Sequence, residues 1–466
     1  MKFKFIIFLL LLTSNVYPQE YSPTYFSKAE LQKDLRFLKK KVTSIHPKFE
    51  KTSFYNKWVN QYNSVYINIP DSISFNKFYS KAAPLMSMLK DGHSNFSFPY
   101  SERIKYMKNG GVTMPLTVKI KNDNIYIEKY FGETHKQNID GLEILSVNGK
   151  SATDILKELQ KFSGAKKASI INHNIEKYFG AYFWTVYGKF PQYNIEVLKD
   201  GKKKLLSFNP VTNSEYFKLR NKRYPKQKEE KYCLSFFEKN DFAYLKIKSF
   251  ANIKTLSEFL EHTFDTIIEN ESKNLIIDLR NNFGGSSDGV DTLLSYLTNE
   301  QYRQYSSIGL RINNDVRRKY KNKQSGFYEN IKNLENNTIF YYNDDLLNKR
   351  PGKRKNLFNG NVFVLVNDKT FSAASTFTGV VKKNTLGEII GQSETGGTIE
   401  YFGDFLNFKL PNTRIKFFIS SKIFRQYGGE KLNNGVSPDI VINENKEMEI
   451  STIIEQIRNV DHAFEN

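Results

Sequence analysis

The 466-residue sequence contains a single cysteine, Cys233, so no disulfide can form within the chain. Its six histidines and one cysteine do not show the spacing of a zinc site. Beyond the N-terminus, no stretch approaches the roughly 20 consecutive apolar residues that a membrane-spanning helix needs. We therefore predict a protein without structural metal, cofactor, disulfide or stable membrane insertion.

Positive charge is in excess, since 69 Lys and Arg against 49 Asp and Glu give a net charge of +20. Such a balance is compatible with nucleic-acid binding. However, basic and acidic residues are interspersed, and the densest basic clusters, residues 317–319 and 353–355, lie in predicted loops. No nucleic-acid recognition motif accompanies them. The pattern favours a solvated basic surface and no nucleic-acid partner.

The N-terminus has the layout of a secretory signal peptide. Lys2 and Lys4 precede an apolar run over residues 5–12, and polar sequence follows. The run is too short for a permanent membrane helix, and no cysteine follows it to accept a lipid. We predict that residues 1–19 are removed and that a soluble product is exported to the periplasm or the medium.

The remaining chain changes its hydrophobic pattern several times. Leu31, Leu35, Leu38 and Val42 recur at helical spacing, whereas short alternating runs and the Asn148–Gly149 turn are typical of strands. Farther on, strands alternate with helices, which predicts a layered α/β domain. The predicted parts are a helical domain (20–111), a β-rich domain (112–212), a basic linker (213–232), an α/β domain (233–450) and a helical tail (451–466).

Residues 141–159 resemble the central strand, turn and helix of a PDZ domain, and an aromatic helical insert over about 172–187 follows. A PDZ domain binds a peptide by adding it to a sheet as a strand, so this resemblance implies capture of a substrate tail. The alternative is an ordinary β-rich linking domain.

One candidate for chemistry follows the predicted strand 362–366. After a turn, residues 370–375 begin a helix, which places Ser372 beside unpaired backbone N–H groups and the positive end of the helix dipole. This environment suits a nucleophile and the oxyanion that it generates. The alternative is that Ser372 or Thr370 only caps the helix.

A second candidate follows the predicted strand 275–279, which runs into a polar turn that ends at Gly284 and Gly285. Paired glycines let the backbone approach a ligand and expose N–H groups, so the turn could form an oxyanion hole. Taken alone, such a turn is common. It lacks the glycine spacing of a dinucleotide loop or a P-loop.

Together these segments, about 90 residues apart, resemble the S41 peptidases, the C-terminal processing or tail-specific proteases, as does Gly-Val-Ser-Pro-Asp at 435–439. The resemblance covers about 242–442. It implies a ClpP/crotonase-like layered α/β catalytic domain that hydrolyses polypeptides. Carried over, Ser372 is the nucleophile, and the oxyanion donors are Gly284, Gly285 and the N–H of Ala373.

The lysine that serves as base in the Ser/Lys branch of the family lies 25 residues after the nucleophile, where this sequence has Gly397. Lys382 and Lys383 lie roughly 15 Å along the predicted helix, too far to serve Ser372. His93, in Asp-Gly-His, resembles the base of the tricorn-like and retinoid-binding-protein-like branch. The alternative is a surface histidine in a turn.

The same branch carries an acidic residue shortly before the Gly-Val-x-Pro-Asp sequence, and Glu430 is the candidate here. A solvated turn glutamate is the alternative. The resulting hypothesis is an exported serine endopeptidase in which Glu430 orients His93. A catalytically inactive ligand-binding or peptide-binding relative and an esterase with the same triad remain open.

Overall fold

The structure is a computed structural model that describes residues 21–132, 138–225, 230–322, 326–429, 431–442 and 449–464. The predicted signal peptide, residues 1–19, and Glu430 lie outside the described residues. In the described parts, no helix has the length and apolar character needed to cross a membrane.

The N-terminal part is mainly helical. Helix α1 begins with a capping box, in which Ser27 accepts the N–H of Glu30 and Glu30 accepts the N–H of Ser27. The leucines that indicated this helix are fully buried. In chain order the elements are β1 (Tyr25–Ser27), α1 (Lys28–Ile45), a short 3₁₀ helix (Pro47–Glu50), α2 (Thr52–Ile67), β2 (Ser72–Ser74), α3 (Phe75–Ser87) and α4 (Tyr100–Lys108).

The next part is β-rich, with an antiparallel sheet in the order β4-β5-β6-β8-β9. Its elements are β3 (Val112–Thr113), β4 (Leu116–Lys121), β5 (Asn124–Tyr130), β6 (Glu143–Val147), β7 (Lys150–Ser151), α5 (Ala152–Gln160), α6 (Ala168–Tyr187), β8 (Tyr193–Lys199), β9 (Lys202–Phe208), β10 (Val211–Thr212) and α7 (Asn213–Arg223). Helix α7 lies where the sequence predicted an unpatterned linker. None of its residues is buried, so no hydrophobic periodicity marks it.

Strand β4 is one edge of this sheet, and helix α6 packs against it. The Ile120 N–H, on β4, donates to Glu176 Oε1 on α6 at 2.8 Å. Strand addition needs free N–H and C=O groups along an edge. At Ile120 the helix already supplies a partner, so the aromatic insert occupies part of the edge that a peptide would need.

The third part is built on a six-stranded sheet in the order β11-β12-β13-β18-β19-β22, parallel except for β11. Its elements are β11 (Tyr232–Phe237), β12 (Phe242–Ile247), α8 (Ile253–Glu269), β13 (Asn274–Asp278), α9 (Ser287–Leu294), β14 (Tyr302–Arg303), β15 (Tyr305–Arg311), α10 (Asn314–Asn322), α11 (Phe327–Ile331), β16 (Ile339–Tyr341), α12 (Asp344–Leu347), β17 (Asn348–Lys349), β18 (Asn361–Val366), α13 (Ala373–Lys383), β19 (Glu388–Gly391), β20 (Glu400–Lys409), β21 (Lys416–Gln426), β22 (Ile440–Val441) and α14 (Ile450–Phe464).

Helices cover both faces of this sheet. Residues of α8, α9 and α13 form the hydrophobic core on one face, and residues of α14 pack on the other. The predicted layered α/β architecture is confirmed. Because β13 and β18 are adjacent and parallel, the turns that follow them meet at one edge of the sheet.

A second sheet, β16-β15-β21-β20, carries a long hairpin that reaches the N-terminal helices. Near its tip, the fully buried Asp34 accepts hydrogen bonds from Asn412 and Thr413. Farther along β21, Phe418 N–H donates to Asn95 O at 2.9 Å and Ser97 N–H donates to Lys416 O at 2.9 Å. The segment that contains His93 is thereby attached to the α/β part of the chain.

Candidate active site

Ser372 lies between β18 and α13 in a strained backbone conformation, with φ +53° and ψ −125°. Non-glycine residues rarely adopt positive φ, and such strain is concentrated at functional sites. Two hydrogen bonds connect the turn that contains Ser372 to the turn after β13. Thr370 Oγ1 donates to Leu279 O and Phe371 N–H donates to Asn282 O, both at 2.9 Å. The Ser372 side chain makes no capping hydrogen bond, so the geometry does not favour a simple helix cap.

His93 reaches Ser372 from the segment between α3 and α4. Its Nε2 lies 3.2 Å from Ser372 Oγ, the separation that a nucleophile and its general base require. The imidazole ring stacks on Phe371, with centroids 5.3 Å apart. Gly92 permits this approach, since a Cβ there would lie 3.0 Å from Phe371 Cζ.

Asp91 is the acidic residue that the structure brings to His93. Its Oδ1 lies 3.6 Å from His93 Nδ1 and accepts the His93 main-chain N–H at 2.9 Å. Its Oδ2 accepts hydrogen bonds from Ser94 Oγ at 2.5 Å and Ser420 Oγ at 2.6 Å. Among the described residues, Asp91 is the one carboxylate within 4 Å of the His93 ring. Sequence reasoning missed this role, although Asp91 stands two residues before His93.

His46 supports the same carboxylate from the opposite side. Its Nδ1 accepts the Lys48 N–H at 3.2 Å, so the proton is on Nε2, which lies 3.3 Å from Asp91 Oδ2. Burial lowers the pKa of His46. Burial by itself raises the pKa of Asp91, but contacts with His46 and His93 hold it well below its usual range. Asp91 is therefore an ionised carboxylate between two imidazoles.

The glycine turn after β13 lies against the start of α13, where a Cβ on Gly284 would be 2.7 Å from Ala373 N. The Gly284 N–H already donates to Asn282 Oδ1 at 2.8 Å. Within the described part of the chain, the N–H groups of Gly285 and Ala373 have no acceptor. Of the three predicted oxyanion donors, the geometry thus favours Gly285 and Ala373 over Gly284.

No lysine could replace His93 from the position used in the Ser/Lys branch. A Cβ on Gly397 would lie 2.6 Å from Ser375 Cβ and 3.3 Å from Ser372 N. Lys382 instead pairs with Asp439 Oδ1 at 2.6 Å. The fully buried Ser375 Oγ contacts Thr395 Oγ1 at 2.8 Å, so this serine belongs to a structural network.

Ser372 and His93 open into a cavity of about 540 Å³. Gly285 and Ala373 also line it, together with aromatic and aliphatic side chains and with charged ones that include Lys319, Lys349 and Lys422. A carbonyl group in this cavity would lie beside a serine hydroxyl, an imidazole and two N–H groups that have no acceptor among the described residues. This combination is typical of serine hydrolases.

Comparison with known proteins identifies the family that the α/β part of the chain resembles. Residues 241–442 match the profile of peptidase family S41. This stretch of the chain is therefore an S41 peptidase domain, which indicates a serine peptidase. None of the curated protein sequences matches it.

Two solved structures of CPAF show the same fold. Mature CPAF is 17% identical, with a TM-score of 0.62 over 89% of this chain and 92% of that one. A serine-to-alanine mutant of CPAF is 16% identical, with a TM-score of 0.64 over 89% and 93%. The photosystem II D1 C-terminal processing protease is 13% identical over 89% and 93%, with a TM-score of 0.47. At these identities the CPAF structures support the fold alone.

Proposed function

We propose that this protein is an exported endopeptidase in which Ser372 attacks a peptide carbonyl and His93 acts as general base. The observation that carries the proposal is the 3.2 Å contact between His93 Nε2 and Ser372 Oγ inside an open cavity. Neutral His93 accepts the hydroxyl proton as Oγ bonds to the carbonyl carbon. The N–H groups of Gly285 and Ala373 then stabilise the oxyanion.

Collapse of the tetrahedral intermediate breaks the C–N bond, and His93 returns its proton to the leaving amine. Water, deprotonated by His93, hydrolyses the acyl-enzyme and regenerates Ser372. Asp91 stabilises the protonated imidazole, because its carboxylate is ionised and lies on the Nδ1 side of the ring. We assign to Asp91 the orienting role that the sequence suggested for Glu430.

A fluorophosphonate probe tests the nucleophile, since it phosphonylates an activated serine. We expect the wild-type chain to be labelled and to cleave casein, and the Ser372→Ala variant to do neither. Ser375→Ala is the matched control from the same helix and should still be labelled. Labelling that survives in Ser372→Ala contradicts the assignment. A wild-type protein that neither labels nor cleaves supports the ligand-binding alternative.

Export is proposed from the N-terminal pattern of Lys2, Lys4 and the apolar run over residues 5–12. Mass spectrometry of the protein from periplasmic and culture fractions should find a mature chain that lacks roughly the first 19 residues. A chain that retains Met1 and fractionates with the cytoplasm would contradict export.

A further inference from the structure

A second cavity, of about 680 Å³, shares Lys90 and Lys166 with a small pocket that His93 lines. Two acidic residues, Glu50 and Glu400, line it together with five basic ones. We call it the basic cavity, defined by Lys48, Lys51, Lys90, Lys166 and Arg425.

Main-chain oxygens, not carboxylates, hold the two inner lysines. Lys48 Nζ donates to Leu89 O at 2.9 Å, and Lys166 Nζ donates to Glu400 O at 2.7 Å. In the described part of the chain, no carboxylate lies within salt-bridge distance of any of the four cavity lysines. Burial, followed by the neighbouring charge of Lys166, lowers the pKa of Lys48 to about 8. The lysines therefore repel one another without a paired anion.

A buried arginine adjoins the cavity. Arg311 is 5% exposed, and its Nε and Nη1 have no hydrogen-bond partner among the described residues. It is opposite Ile339 in the sheet and interacts electrostatically with Glu50, and both of these residues line the cavity. An unpaired buried guanidinium is costly, so this observation independently indicates a region that favours an anion.

The basic cavity lies next to the catalytic site. A small pocket between them is lined by His93 and Asp91 together with Lys90 and Lys166. The carbonyls that hold the inner lysines also belong to the site's own segments, because Leu89 lies two residues before Asp91 and Glu400 adjoins Tyr401. The inner lysines are therefore held by segments that also contribute to the catalytic site.

We propose that the basic cavity binds carboxylates of the peptide substrate, so that the protein selects peptides with acidic residues on one side of the scissile bond. This inference rests on the proposed function. The carboxylate could be an acidic side chain or the C-terminus of the substrate. Either would pair with Lys48 and Lys166, whose charges are partly shielded from solvent and are therefore weakly screened.

The test measures binding without turnover. Full-length mature protein with Ser372→Ala is titrated, by fluorescence anisotropy, into a rhodamine-labelled peptide rich in glutamate and into its counterpart with glutamine at every glutamate. Each peptide is made with a free and with an amidated C-terminus. Lys48→Gln and Lys166→Gln are added together, with Lys48→Arg and Lys166→Arg as the charge-retaining pair. Lys202→Gln, an exposed lysine on the β-rich domain, is the control.

We expect the glutamate peptide to bind about tenfold or more tightly than the glutamine peptide, because close charge pairs contribute on this scale. The preference should shrink with added salt, disappear in the double Gln variant, persist in the double Arg variant and be unchanged by Lys202→Gln. Loss of affinity on amidation identifies the C-terminal carboxylate as the bound group, and no loss identifies the side chains.

Equal affinity for all four peptides in the parent protein, so that neither glutamate nor a free C-terminus adds affinity, would overturn the proposal, whether or not the variants fold. So would a full preference retained by the double Gln variant with an unchanged thermal unfolding midpoint, or stronger competition by single-stranded DNA than by the acidic peptide. Fluorophosphonate labelling of Ser372 in the unmodified chain tests the peptidase separately. A failed carboxylate site is thereby distinguished from a failed catalytic assignment.

Discussion

Replacing Asp91 by asparagine keeps the size of the side chain and removes its charge. Oδ2 accepts two short hydrogen bonds, from Ser94 and Ser420, and an amide nitrogen at that position cannot accept either. Hydrogen bonds to a charged group contribute about 1.5–3 kcal/mol each. Because the serine hydroxyls can rotate and accept from the amide, we expect a loss of roughly 2–4 kcal/mol in the free energy of unfolding.

The effect of Asp91→Asn on the catalytic rate should be larger than its effect on stability. Without the carboxylate, the imidazolium of His93 has no negative partner on its Nδ1 side as Ser372 attacks. Removal of the orienting charge from a serine-histidine pair lowers kcat by about 10²–10⁴-fold. The second-order rate constant of fluorophosphonate labelling should fall in the same range, and this assay needs no knowledge of the natural substrate.

Asp34→Asn is the matched control. Asp34 is also fully buried and also accepts several hydrogen bonds, from Asn412 and Thr413, but it is not in contact with His93. Both variants should lose similar stability in urea unfolding, and both are assayed at a temperature at which they are folded. The reasoning is refuted if Asp91→Asn labels within about threefold of Asp34→Asn, since a catalytic charge removes far more than that.

Three further results are expected. Ser372→Ala should lower kcat by at least ~10³-fold, whereas Ser375→Ala should keep most of the activity and lose about 1 kcal/mol of stability in chemical denaturation; equal effects on activity would contradict the assignment. Gly397→Ala should destabilise the protein by about 1–3 kcal/mol and slow labelling, because its Cβ would overlap Ser375; an unchanged midpoint would show that the turn has room. Because burial lowers the pKa of His46, the unfolded chain binds the extra proton below about pH 6.5 and stability falls as the pH decreases, by up to ~1.4 kcal/mol per unit. Urea unfolding at pH 5 and pH 7 should show a smaller decrease for His46→Gln, and an identical decrease would exclude this contribution.

The local sequence was sufficient to predict those parts of the candidate site that lie within one continuous segment. The strand before Asn367 and the helix after Ser372 are each evident from hydrophobic pattern, and the turn between them must bring backbone N–H groups to the serine. The two glycines after β13 were also evident from the sequence, but which of them has a free N–H group among the described residues was not. This difference depends on the Asn282 side chain, whose Oδ1 accepts a hydrogen bond from the Gly284 N–H.

Asp91 could not be assigned in the same way. What makes it a charged partner of His93 is the set of donors around it, which come from Ser94 nearby, His46 after α1 and Ser420 on β21. Sequence separations of 45 and 329 residues leave no local signal. Glu430 lies outside the described residues, so the role that the sequence suggested for it stays a prediction.

The insert after α5 shows the same limitation for the β-rich domain. The sequence predicted an aromatic helical insert over about residues 172–187, and α6 is this helix. The helix packs on the β4 edge, where Glu176 accepts a hydrogen bond from the Ile120 N–H. The local sequence does not predict this tertiary contact. The contact matters because peptide capture by strand addition depends on a free edge.

The position of His93, the proposed base, makes the candidate site depend on how the N-terminal part packs against the α/β part. A base on the α/β domain at position 397 would need space that Ser375 occupies, and Ser375 is fixed there by Thr395 and Gln426. His93 arrives instead from the N-terminal part, and its segment is held where β21 pairs with it and Ser420 contacts Asp91. The distance between Ser372 and His93 is therefore set by packing between the N-terminal and α/β parts of the chain. A change that shifts β21 relative to α13 should therefore alter that distance.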